Sequence, residues 1–112
     1  HACPRKVAWA LARIEASGGT VDIGALAREL GHSAKYLIAQ FREHIGFPPK
    51  LAARLLRFDR VVRHIRGGGG ERWAELALRF GYFDQSHLVR DCRQFTGLTP
   101  TAMRASLMPF PV

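Results

Sequence analysis

Apolar residues recur along this chain at the three-to-four-residue spacing of a helix face, and no stretch alternates as a half-buried strand would. Val7, Leu11 and Ile14 mark one face of a helix predicted over residues 4–16, ended by Ser17-Gly18-Gly19. Asp22 is placed to cap a short helix over 23–30. Ser33, after Gly31-His32, is placed to cap the next, which runs to about His44 and stops at Gly46. Pro49 suits the first turn of a long helix reaching Ile65, with Leu51, Leu55, Phe58, Val62 and Ile65 as its apolar stripe. Gly67-Gly68-Gly69-Gly70 reads as a flexible break and a tether between subdomains. A short helix over 72–79, one capped by Asp84 and running through Phe95, and a last one opened by Thr99-Pro100 complete the pattern. The expected fold is all-α, with seven helices.

Two of these segments are one pattern written twice. ALARELGHSAKYLIAQFREHIGFPP (25–49) resembles ELALRFGYFDQSHLVRDCRQFTGLTP (75–100). Leu26, Ala27 and Gly31 match Leu76, Ala77 and Gly81 at an offset of 50. Leu37, Arg42, Gly46 and Pro49 match Leu88, Arg93, Gly97 and Pro100 at 51, so the second turn is one residue longer. A short helix, a Gly-containing turn and a longer helix make a helix-turn-helix, whose second helix enters the major groove. The small alanine four residues before each turn glycine lets the two helices approach. The expected division is a first helix-turn-helix subdomain over 1–48, a linker helix over 49–66 and a second subdomain over 67–112.

The helical period assigns faces. In the first copy Leu37, Phe41 and Ile45 fall on the core side, and Lys35, Ile38, Ala39 and Arg42 fall opposite. In the second, Leu88, Cys92 and Phe95 are core, and Ser86, Val89, Arg90 and Arg93 fall opposite, the same positions at the offset of 51. Gln85 reaches forward from the N-terminal end of its helix. These outward sets are the expected DNA faces. Lys35, Ile38, Ala39, Gln85, Ser86, Val89 and Arg90 are candidates for base reading, with Arg42 and Arg93 on phosphates.

Charge agrees with that assignment. The 112 residues carry 17 Lys and Arg against 9 Asp and Glu, a net +8, and only Lys6, Lys35 and Lys50 are lysines. Arginine pairs bidentately with phosphates and base edges, so duplex DNA is the first expected partner. An anionic membrane is the second, but no apolar run nears the roughly 20 residues that span a bilayer. Cys3 and Cys92 form no disulfide framework, so a reducing cytoplasm is expected. Because the chain begins with His1, it is expected to be a piece of a longer protein. The arginines of the long helix recur every third residue and drift around it. Most are expected to be solvated or internally paired, with Arg54 and Arg66 able to reach phosphates.

Asp84, Ser86 and His87 look like triad members. A triad requires Ser bonded to His and His to Asp, however, and adjacent helical residues point about 100° apart. Asp84 is better placed as a cap, and His87 is expected beside the core face, packed against neighbouring helices. No catalytic residues are expected. The histidines lack ligand spacing, so no metal or other cofactor is expected. Cys92 is expected buried and unreactive, and the glycine run lacks the GKS or GKT of a phosphate loop.

The stretches LARELGHSAKYLIAQFRE, LLRF and WAELALRFGYFDQSHLVRDCRQFTGLTP together resemble the DNA-binding domain of AraC/XylS-family bacterial transcription regulators, over about 4–104. The resemblance implies two helix-turn-helix subdomains joined by a linker helix, with both recognition helices in successive major-groove segments on one face of the duplex. It implies a separate effector or dimerisation domain, absent from this chain, and RNA polymerase as a partner of the full-length regulator. Family members often carry Phe where Cys92 stands. They often read bases from the positions of Ile38 and Ala39, neither of which donates a hydrogen bond, so the first copy is expected to read less sequence or to lean on Lys35 and Arg42. A straight helix over 50–65 spans about 24 Å, against about 34 Å between major-groove faces on one side of B-DNA. Two protected patches roughly 10 base pairs apart are therefore expected. The isolated domain, without an apolar dimer face, is expected to be a monomer. The alternatives are a non-specific architectural DNA-binding protein, the DNA-binding part of a DNA-repair methyltransferase regulator, and a protein-interaction module.

Overall fold

A computed structural model describes residues 4–107; Cys3 and its pairing lie outside them. Among the described residues there are seven helices and no strand: α1 (Arg5–Ala16), α2 (Ile23–Glu29), α3 (Ala34–His44), α4 (Pro49–Arg66), α5 (Trp73–Arg79), α6 (Gln85–Thr96) and α7 (Pro100–Leu107). Their starts are set by side chains that accept otherwise unpaired backbone N–H groups. Asp22 accepts from Gly24 N at 3.3 Å, Ser33 from Tyr36 N at 3.1 Å, Asp84 from His87 N at 3.1 Å, and Thr99 from Ala102 N at 3.2 Å.

The chain divides into two compact units, 1–56 and 57–112. In the first, Val7, Ala10 and Ile14 of α1, Leu26 and Ala27 of α2, Leu37 and Phe41 of α3 and Ala52 and Ala53 of α4 form a core. In the second, Phe58, Val61 and Ile65 of α4 pack with Leu76, Ala77, Phe80, Tyr82, Leu88, Cys92 and Met103. α4 therefore does not bury the single stripe that its sequence spells. Leu55 stays exposed, and Ala52, Ala53 and Val61 take buried positions. The helix serves one core with its first half and another with its second, so the arc it buries changes along its length.

The repeat extends to backbone detail. Gly31 and Gly81 both take positive φ, 76° and 86°, a region that side chains with a Cβ rarely enter. The next residue then turns back on the preceding helix: His32 N donates to Ala27 O, and Tyr82 N to Ala77 O, each at 2.9 Å. Ala27 and Ala77 are fully buried, as close packing of the two helices requires.

The Gly67–Gly70 run is a formed turn inside the second unit rather than a loose tether. Gly67, Gly68 and Gly69 donate to the carbonyls of Arg63, Ile65 and His64, each at 3.0 Å. A Cβ on Gly69 would lie 2.3 Å from the His64 ring. Glu71 then fastens the turn. Its Oε2 lies 2.5 Å from His64 Nε2 and accepts from Arg79 Nη1 at 3.2 Å, while its carbonyl accepts from Arg104 Nη2 at 2.9 Å. The Arg104 guanidinium lies 3.9 Å over the Trp73 ring. Gly68, at φ 98°, and Gly69, whose Cβ would meet the His64 ring, allow a tight return onto α4 that a side chain at either would oppose.

Candidate nucleic-acid interface

α3 and α6 each present one packed and one outward face. On α3, Leu37 and Phe41 are fully buried, while Lys35, Ala39 and Arg42 are exposed and Ile38 is half-buried. On α6, Leu88 and Cys92 are fully buried, while Gln85, Ser86, Arg90 and Arg93 are exposed and Val89 is half-buried. Lys35 with Ser86, Ile38 with Val89, Ala39 with Arg90 and Arg42 with Arg93 thus occupy like positions with like exposure. Phe95 is partly buried against the core, and Asp91, 4% exposed, joins the packed face as an acidic group the apolar pattern did not mark.

The two faces differ in chemistry. The α6 face offers an amide, a hydroxyl and two guanidinium groups. The α3 face offers one ammonium and one guanidinium beside Ile38 and Ala39. Arginine forks onto a guanine edge and glutamine onto an adenine, whereas an aliphatic side chain can only meet a thymine methyl. Ahead of α3, Lys6 Nζ lies 2.7 Å from His32 Nε2, and the His32 ring stacks on Tyr36 at 3.7 Å. That support reaches across 26 residues of sequence, and no local pattern signals it.

On α4, Arg57 lies over Tyr82, Arg60 lies over Phe80, and Arg63 pairs with Asp59 at 2.9 Å, so these three are engaged within the second unit. Of the arginines assigned to phosphates from this helix, Arg54 is half-buried and Arg66 exposed.

His87 is exposed, not packed against neighbouring helices. Its Nδ1 lies 2.7 Å from Asp84 Oδ1, the same oxygen that accepts the His87 N–H, and its ring meets Phe83 edge-to-face at 5.7 Å. The i, i+3 spacing of Asp84 and His87 is the signal that finds this pair. The Asp84 carboxylate is thus committed to the start of α6. Cys92 is sealed in, its Sγ donating to Leu98 O at 3.4 Å with Met103 Sδ at 3.9 Å. Burial pushes its thiol pKa up, away from the thiolate that reacts.

The hydrogen bond from His87 holds the Asp84 carboxyl below its ordinary value, and that from His64 does the same for Glu71. A depressed carboxylate contributes stability that is present above its unfolded pKa and is lost as pH falls through the folded one. Acid weakening attributable to this pair is therefore expected below about pH 4. In thermal melts, Asp84→Asn with Glu71→Gln is expected to melt lower than the parent at pH 7 and to lose less on acidification. An identical acid dependence in parent and variant would show that these contacts do not set it.

A helix-turn-helix framework with basic outward faces is the architecture of DNA-binding domains. The family model described as "Helix-turn-helix domain" matches residues 26–106. The chain belongs to this family, the DNA-binding domains of AraC-type transcription regulators. Its fold is similar to that of the C-terminal domain of AraT, a response regulator from Geobacillus stearothermophilus. The two are 19% identical, with 98% of this chain and 92% of that chain covered and a TM-score of 0.85. No curated protein sequence matches. DNA is the partner this membership gives, in a family of regulators that are typically not enzymes. No described helix is long and apolar enough to cross a membrane.

Proposed function

We propose that the chain binds double-stranded DNA sequence-specifically, as the DNA-binding domain of a bacterial transcription regulator, with α3 and α6 as recognition helices in successive major-groove segments. The observation that carries this is the pairing of the two outward faces, position by position, on helices whose packed faces also correspond. Gln85, Ser86, Val89 and Arg90 read bases from α6, and Lys35, Ile38 and Ala39 from α3. Arg42, Arg54, Arg66 and Arg93 hold phosphates. The domain binds as a monomer, and a longer regulator supplies the effector or dimerisation domain and the contact with RNA polymerase. Non-specific architectural binding would keep the basic faces without discriminating sequence.

Arg90 and Arg93 test the assignment of reader and anchor. Arg90, exposed at the middle of the α6 face, is expected to fork onto a guanine. Arg90→Ala should cost about 1–3 kcal/mol on the preferred site and relax specificity at one base pair. Arg93→Ala should weaken all duplexes evenly and lower the salt slope by about one. Titrations over all single-base variants of the site distinguish the two. A uniform loss for Arg90→Ala would remove it from the readers.

A further inference from the structure

The extra residue of the second turn lies between Gly81 and Asp84, and there the structure sets Phe83, 83% exposed. An isolated exposed apolar residue is ordinary. The support around this one is not. The Phe83 ring meets the His87 ring edge-to-face, with centroids 5.7 Å apart and planes at 69°. His87 is in turn held by Asp84, whose Oδ1 lies 2.7 Å from Nδ1 and 3.1 Å from the backbone N of the same residue. The ring is thus steadied at the N-terminal end of α6, beside exposed Gln85 and Ser86 and ahead of Arg90.

The N-terminal residues of a recognition helix are those that meet base edges. The apolar group offered there by the major groove is the thymine C5-methyl. The surroundings also select the occupant. Phe83 stands against His87 at the start of α6, in a chain of net charge +8. A second copy would bring like charge to the ring, whereas a duplex brings the opposite.

We infer that Phe83 is a specificity-determining residue that packs on a thymine methyl at the edge of the α6 half-site, with Asp84 and His87 as its positioning residues. The inference rests on α6 reading DNA as proposed above, and it gives the two halves different requirements, because the shorter first turn has no equivalent of Phe83.

The test starts from a site selected with the unaltered chain. Each thymine of the α6 half-site is replaced in turn by deoxyuridine, which removes the methyl alone. One replacement is expected to weaken binding about three- to five-fold, the effect of one methyl leaving an apolar contact. Phe83→Ala is expected to bind the thymine site weaker by at least that factor and to be indifferent to the same replacement. Its melting temperature should match the parent's, since the ring lies outside the core. His87→Ala is expected to show a reduced thymine preference with the bases read by Arg90 unchanged. If Phe83→Ala keeps the parent's response to every deoxyuridine, or loses affinity equally on all sequences, Phe83 does not read thymine. Arg90→Ala still relaxing specificity would then leave the DNA-reading role of α6 standing. If no site can be selected at all, that role fails, and this inference fails with it.

Discussion

Between about 50 and 200 mM salt, affinity for a duplex is expected to fall at least a hundredfold. The slope of log affinity against log salt is about −0.9 per neutralised phosphate on B-DNA. If the four arginines proposed to hold phosphates, Arg42, Arg54, Arg66 and Arg93, each neutralise one, the slope is about −3.6 and the loss roughly 150-fold over that range. Any phosphate met by Lys35 or Lys6 steepens it. The arginines committed within the second unit, Arg57 over Tyr82, Arg60 over Phe80 and Arg63 on Asp59, are not counted, although the net charge includes them. Titrations at four salt concentrations give the slope. A slope near zero would mean that the basic faces do not meet the DNA backbone, and a protein-interaction module would then be favoured.

The second large effect is on stability. Phe41 heads the fully buried side chains by volume, and Phe41→Ala is expected to cost about 3–5 kcal/mol. A 56-residue unit has roughly 3–8 kcal/mol to lose at typical stabilities per residue. The variant should therefore lose half or more of the stability of its first unit. The equivalent position in the second unit is Cys92, also fully buried. There the smaller side chain is compensated by its neighbours, with Met103 Sδ, Leu98 O and Thr96 Oγ1 all within 3.9 Å of the sulfur. Cys92→Phe, which installs the residue that the first copy carries at the equivalent position, is expected to overpack the site and cost about 1–3 kcal/mol. Denaturant unfolding of both variants provides the check. A Phe41→Ala loss below about 1 kcal/mol, or a stabilising Cys92→Phe, would show that the two cores are not packed as described.

The contrast between Phe41 and Cys92 shows what the sequence can and cannot reveal. Element order, three of the caps and the two packed faces were legible because each is a local rule: a period of 3.6, a side chain two or three residues ahead of an N–H, a glycine where φ is positive. The shared faces of α3 and α6 were legible for a further reason, since the repeat gives each position a second, independent instance. Contacts between distant residues were not. That α4 changes its buried arc, leaving Leu55 exposed, depends on two cores that meet the helix in turn. That the glycine run is fastened depends on Glu71 finding His64, Arg79 and Arg104 at once. The wheel sets His87 beside the packed face, whereas in the structure it is exposed and bonded to Asp84, a contact the wheel does not encode. On the interface, the pattern gave which side chains point outward. It gave no sign that Phe83 stands beside them, because Phe83 lies in the turn, outside the helical period that assigns faces.

The central claim is that two recognition helices on one chain read a defined DNA sequence. Selection of binding sites from random duplex DNA, with the unaltered chain at physiological salt, tests it most directly. The expected outcome is an enriched motif of two blocks about 10 base pairs apart, centre to centre, the block read by α6 being the more sharply defined. A pool that stays random after selection, with selected and unselected duplexes bound equally, would contradict it.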